Sequence, residues 1–207
     1  MDASTAARGA GRMVFEVHPL TADPFDDFAD VVNPNRRATP CWCLSHRLSV
    51  PQLRELGDTP RGRHAGARCR EACARRRRDS DGEPSRGATS ARAARSRGSG
   101  ASKLIPAPED ADVGSVICVV VRAGCRRQGH TTRMLEAAVE HAYAHGAAVV
   151  EAHPVDNRGD DGGPVRIDTM ASAGTWSMFS AAGFEEVGVT KATGSGRPRL
   201  VMRHVRG

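Results

Sequence analysis

One stretch of the chain limits its fold more than any other. Ser115–Arg122 (SVICVVVR) is a continuous apolar, β-branched run, as expected of a strand buried on both faces. A polar turn follows at Ala123–His130, then a helical pattern over Thr131–His145. There Leu135, Ala138, Val139, Ala142 and Tyr143 share one face, and Gly146 is placed to end the helix. Ala147–Ala152 (AAVVEA) reads as a second buried strand. Strand, helix and strand in this order make a right-handed βαβ unit, so the two strands are expected to be parallel. An α/β fold is the class that accommodates it.

The flanks carry weaker signals. Residues 1–12 are small and polar and read as a disordered leader; Met13–Val17 alternates as a strand. Asp23 and Pro24 can open a helix whose face holds Phe25, Phe28, Ala29 and Val32, and a short helix is expected at Gln52–Leu56. Downstream, His153–Ala173 reads as a long Gly/Asp-rich loop and Thr175–Ala182 as a short helix. Phe184–Val189 and Leu200–Val205 read as strands joined by a turn at Thr193–Pro198.

Between the flanks lies a gap. From Gly57 to Lys103 there is no Leu, Ile, Val, Met, Phe, Tyr or Trp. Such a segment has too little apolar area to offset its ordering entropy, so residues 57–103 are expected to be disordered or malformed, interrupting a domain spanning 13–207. Residues 84–101 are rich in Arg, Ala, Gly and Ser. GC-rich coding DNA yields that mixture when read out of frame.

The same segment explains the charge. The 207 residues carry 30 Lys and Arg against 24 Asp and Glu, for a pI near 9.4. Residues 61–100 hold twelve Arg and four acids, and the remainder is close to neutral. A local surplus of this kind argues against a general nucleic-acid or membrane surface, and no aromatic interleaves Arg75–Arg78 to stack on bases. No run of apolar residues is long enough for a membrane span, and a cytoplasmic setting with unpaired cysteines is expected. Cys41-x-Cys43 and Cys69-x-x-x-Cys73 miss zinc-ribbon spacing, so no metal site is expected.

The most informative site is Arg126-Arg127-Gln128-Gly129-His130-Thr131, between the buried strand and the helix start. Gly129 permits close backbone approach, the first helical amides lack internal acceptors, and two arginines add charge. This is an anion site suited to a pyrophosphate. It lacks the Gly-Lys-Ser/Thr of a P-loop and the Gly-x-Gly-x-x-Gly of a dinucleotide fold.

Cys118–Gly146 resembles the acetyl-CoA-binding motif of the GNAT N-acetyltransferase superfamily, Arg/Gln-x-x-Gly-x-Gly/Ala between a strand and a helix. Arg126 matches the first position and Gly129 the central glycine, whereas Thr131 stands where Gly or Ala is usual. Thr175–Val187 (TWSMFSAAGFEEV) is similar to the family's later helix and its Ala-Gly-Phe strand entry. Cys41-Trp42-Cys43 and Glu151–Asp156 resemble an actinobacterial-type subgroup. The resemblance implies the acyl-CoA N-acyltransferase fold, an α/β fold with a central mixed sheet flanked by helices, and transfer of an acetyl group from acetyl-CoA, as co-substrate, to a small-molecule or protein amine. A homodimer is left open. It implies that Val119 and Val121 bond pantetheine, and that Arg126, Arg127, Gln128, Gly129, His130, Thr131 and Thr132 hold the pyrophosphate. The family's acid, a Tyr four residues before the Gly of Gly-Phe, is Phe179 here. Glu151 and His153 are left as candidates for base or acid. Two other readings stand beside this one: a relic of the fold that at most binds CoA, and a basic interaction module acting through residues 61–100.

Overall fold

The computed structural model describes residues 13–19, 50–55, 72–78, 88–95, 104–105, 112–121, 126–167 and 173–206. Seven strands form one mixed sheet: β1 (Met13–Pro19), β2 (Ala72–Arg78), β3 (Ala88–Arg95), β4 (Val113–Val121), β5 (Val149–Ala152), β6 (Glu185–Gly194) and β7 (Arg197–Val205), in the order β1-β2-β3-β4-β5-β7-β6. Three helices are described: α1 (Val50–Glu55), α2 (His130–Ala144) and α3 (Trp176–Ser180). All strand neighbours are antiparallel except β4 and β5, which pair in parallel as the βαβ order requires. The helix expected from Asp23 to Val32, the leader, and Cys41, Cys43 and Cys69 lie outside the described residues; Cys73 falls in β2.

Two pieces of residues 57–103 depart from the expectation, and the rest of that segment lies outside the described residues. Ala72–Arg78 and Ala88–Arg95 are strands, β2 between β1 and β3, and β3 against β4. Main-chain ladders do not require large side chains, and β3 gains its place by bonding to the well-formed edge of β4.

α2 packs on β3 and β4. Its face holds Met134, Leu135, Ala138, Val139 and Ala142, which join Val116, Val150, Leu200 and Met202 from three strands and Phe179 and Phe184 from the α3 region. Each large side chain so buried contributes roughly 1.5–3 kcal/mol. Close approach is possible because Gly114 has no side chain: a Cβ there would sit 3.0 Å from the Ala142 Cβ. Gly146, at φ 83°, ends the helix in the left-handed conformation. The Tyr143 hydroxyl donates to the His204 carbonyl at 2.9 Å and meets His204 Nδ1 at 2.9 Å, tying the end of α2 to β7.

Two irregularities shape the centre of the sheet. On β4, Val116 lies opposite Ala93 and Val119 opposite Ala91, so β4 spends three steps where β3 spends two. The extra residue is a β-bulge, and it turns Val119 to the same core face as Val116. The second irregularity is a parting of strands. β4 and β5 pair only from Val113↔Val149 to Val116↔Ala152; β4 continues to Val121, while the chain after Ala152 stays with β7. Leu200 N donates to Pro154 O at 2.9 Å and Asp156 N to Pro198 O at 2.9 Å. Residues 174–176 take up the edge that β4 vacates, through Val155 N to Gly174 O and Trp176 N to Val155 O.

The loop expected at 153–173 is therefore largely built. Residues 157–165 close a small hairpin through Gly159 N to Gly163 O and Val165 N to Asn157 O, both 2.7 Å. Asn157, 4% exposed, anchors it: its Oδ1 accepts from Ser177 N at 3.0 Å, and its Nδ2 donates to Val165 O and Ser177 Oγ.

Candidate functional site

The turn and the parted strands lie at one end of β4. Helix α2 begins at His130, and Gly129 is its N-cap with φ 75° and no side chain to cap the first turn. First-turn amides of a helix carry partial positive charge and no intrahelical acceptors. Arg126, Arg127, Gln128 and Gly129 are exposed, His130 is buried, and Thr131 and Thr132 are half-buried. A Cβ at Gly129 would meet nothing within 4 Å, so the surface there is open, but its backbone conformation strains any other residue. Arg127 is itself at φ 61°. Arg126 Nε donates to Val121 O at 3.2 Å, which folds the side chain back along β4 and occupies the carbonyl expected to meet pantetheine. Val119 and Val121 both lie beyond Val116, in the part of β4 that has no β5 partner in the ladder.

On the opposite face of β5 from the core, Glu151 and His153 come together with a residue the sequence reading did not single out. Glu151 is 2% exposed. Its Oε2 accepts from Arg203 Nε at 2.9 Å, and its Oε1 lies 3.2 Å from His153 Nε2. Burial pushes the Glu151 carboxyl up, but hydrogen bonds and charge from His153 and Arg203 outweigh it and hold the group below the ordinary carboxylate value. A carboxylate only accepts, so His153 Nε2 is the protonated nitrogen and Nδ1 is left as an acceptor when the ring is neutral. The His153 side chain is 18% exposed against 3% for Glu151. Of the two, only His153 can meet a ligand from solvent.

Arg203 was legible in part: in Arg199-Leu-Val-Met-Arg203, Leu200 and Met202 are buried, so Arg199, Val201 and Arg203, which alternate with them, face the other side. Nothing in the sequence paired Arg203 with Glu151. Phe179 is fully buried, edge-on to Phe184 at 5.0 Å between centroids, and against Gly174. It is a core residue. Among the described residues no cluster of metal-ligating side chains occurs, and no helix is long and apolar enough to cross a membrane.

This architecture has known counterparts. The aminoglycoside acetyltransferase AAC(6')-Ib, solved with paromomycin and acetyl-CoA, superposes with a TM-score of 0.50 at 16% identity, over 93% of each chain. The same protein with coenzyme A superposes with a TM-score of 0.50 at 16% identity, over 93% of this chain and 95% of that one. Residues 92–160 match the profile of the acetyltransferase (GNAT) family. No curated protein matches the sequence. The chain has the acyl-CoA N-acyltransferase fold, a mixed sheet with flanking helices. Within it, the segment that runs from β3 through the turn at Gly129 to β5 and its hairpin carries the GNAT acetyltransferase signature.

Proposed function

We propose that the protein is an N-acetyltransferase that moves an acetyl group from acetyl-CoA to an amine. The observation that carries this reading is the parting of β4 from β5 after Val116 and Ala152, directly beside the uncapped start of α2 at Gly129. The gap offers main chain to the pantetheine amides along Val119–Val121. The turn offers Arg126, Arg127 and the first amides of α2 to the pyrophosphate. The bulge between Val116 and Val119 takes main-chain groups of β4 out of the regular ladder with β3, and one amide there would polarise the thioester carbonyl.

In the transfer, the amine nitrogen bonds to the acetyl carbon, the carbon–sulfur bond breaks, and the sulfur leaves as a thiolate. The amine loses a proton. His153 Nδ1 is the acceptor for it, because Glu151 is held ionised by Arg203 and fixes the ring through Nε2. Glu151 acts through His153 and is a positioning residue. Phe179 has no proton to give, so the thiolate takes its proton from solvent. Calorimetric titration of acetyl-CoA into the purified chain tests the reading: saturable binding is expected, and its absence with folded protein overturns it.

A further inference from the structure

We propose that the acceptor amine also carries an anionic group, a carboxylate or a phosphate, which Arg199 binds beside His153. The inference rests on the acetyl-transfer reading above and adds the class of acceptor.

Four arginines surround the outer end of β5, and their partners differ. Arg203 is paired with Glu151. Arg158 chelates Asp156, Nε to Oδ1 at 2.9 Å and Nη2 to Oδ2 at 2.7 Å, and also meets Glu186 at 3.0 Å. Arg197 donates to Arg158 O at 2.8 Å and to Asp156 O at 3.4 Å, and its charge acts on the Asp156 carboxyl. Arg199 differs from all three. Among the described residues, its one hydrogen bond from the side chain is Nη1 to His153 O at 3.0 Å, a neutral carbonyl. Burial pushes Arg199 down, and no carboxylate among the described residues opposes it.

The guanidinium is also fixed in place. Arg199 lies opposite Val155 where β7 continues beside the chain after β5. Its Nη2 and Nε pass over Gly194 of β6, where a Cβ would stand 3.1 and 3.2 Å from them. One of five N–H groups is used by the carbonyl. A half-buried cation without a counter-charge is unfavourable, and an incoming anion offsets that cost. Guanidinium suits carboxylate and phosphate because it can bond either in a bidentate fork. Since Arg199 is bonded to the carbonyl of His153 itself, an acceptor held by its acidic group has its amine near that imidazole. A polycationic amine is repelled at the same place.

The test uses the full chain saturated with CoA, titrated calorimetrically with glutamate, phosphoethanolamine and putrescine. At least one of the two anionic amines should bind more tightly than putrescine, and which of them does so separates carboxylate from phosphate. Arg199→Gln should weaken that binding about tenfold or more and Arg199→Lys less, while CoA affinity stays as in the wild type. In steady state the same variant should raise KM far more than it lowers kcat. Lys191→Gln, at an exposed cation on β6, should change nothing. Putrescine binding as tightly as the anionic amines overturns the inference, as does Arg199→Gln binding them like the wild type. Loss of acetyl-CoA binding by the wild type sinks the transferase reading instead, a separate readout. If Arg199→Gln does not fold, succinate decides on the wild type: it should compete with the anionic amine, and failure to compete overturns the inference.

Discussion

Glu151 on β5 stands directly across the ladder from Arg203 on β7, and the two are joined at 2.9 Å. The carboxylate has almost no contact with solvent, so its ionised state depends on this partner and on His153. Replacing Arg203 by Met is expected to destabilise the fold by about 1–3 kcal/mol, because a buried carboxylate loses a charged donor. Glu151→Gln with Arg203→Met together should cost less than the sum of the two singles. Urea unfolding of all four proteins measures the coupling. Strict additivity would show that the pair contributes nothing.

The same carboxylate sets an acid limit. Unfolded, Glu151 titrates near its ordinary value of 4.5; folded, it titrates lower. Its contribution to stability is therefore complete above pH 4.5. It is lost as pH falls below that value toward the folded pKa, because only the unfolded chain takes up the proton. Asp156, lowered mainly by its hydrogen bond from Arg158, acts in the same direction from 3.8. The stability gap between the wild type and Glu151→Gln should narrow as pH drops from 5 to 3.5. A gap that is constant with pH removes Glu151 from the account.

Gly129→Asp should abolish acetyl-CoA binding. The side chain enters open space, so the fold survives at a cost of about 1–2 kcal/mol for the left-handed backbone. The new carboxylate then stands where a phosphate is expected. Unchanged affinity in the folded variant places the cofactor elsewhere.

His153→Gln should lower the transfer rate about 10²–10³-fold and leave acetyl-CoA affinity intact. Glu151→Gln should act in the same direction, since it removes the carboxylate that holds the ring through Nε2. A rate and pH profile like those of the wild type in both variants would take the dyad out of the mechanism.

Pairing of β3 with β4 also has an observable. Amides of Ala88–Arg95 that bond across to β4 should exchange slowly with deuterated solvent, though the segment holds no large apolar residue. Exchange at the rate of an unfolded peptide would remove β3 from the folded protein.

The parts of this fold that show in the sequence are those whose periodicity comes from burial. α2 and the strands around it follow the apolar residues that the core requires, and Gly129 and Gly146 stand where the backbone turns left-handed. β2 and β3 are invisible because Ala, Arg, Ser and Thr form ladders without announcing them; only the neighbour's edge makes the strand. The candidate site splits the same way. Glu151 and His153 lie two residues apart at the end of β5 and are easy to group. Arg203 lies 52 positions further on and joins them through a register that no local pattern specifies. The bulge after Val116 is likewise a matter of two strands keeping different step counts, and one strand read alone does not reveal it.

The position of β7 between β5 and β6 has a consequence for assembly. β6 has no neighbour in the sheet except β7, so it cannot join before its hairpin partner does. The short connection from Gly194 to Arg197 makes that pairing local and fast, whereas docking β7 onto β5 closes a long loop. The topology therefore favours a β6–β7 hairpin that forms by itself and then docks as a unit. It brings Arg199 and Arg203 to the site in the same event. Until then Glu151 is a strand-edge carboxylate with no cation from β7, while β4, α2 and β5 can already be in place. A folding species caught before docking should thus retain the cofactor half of the site and lack the acceptor half.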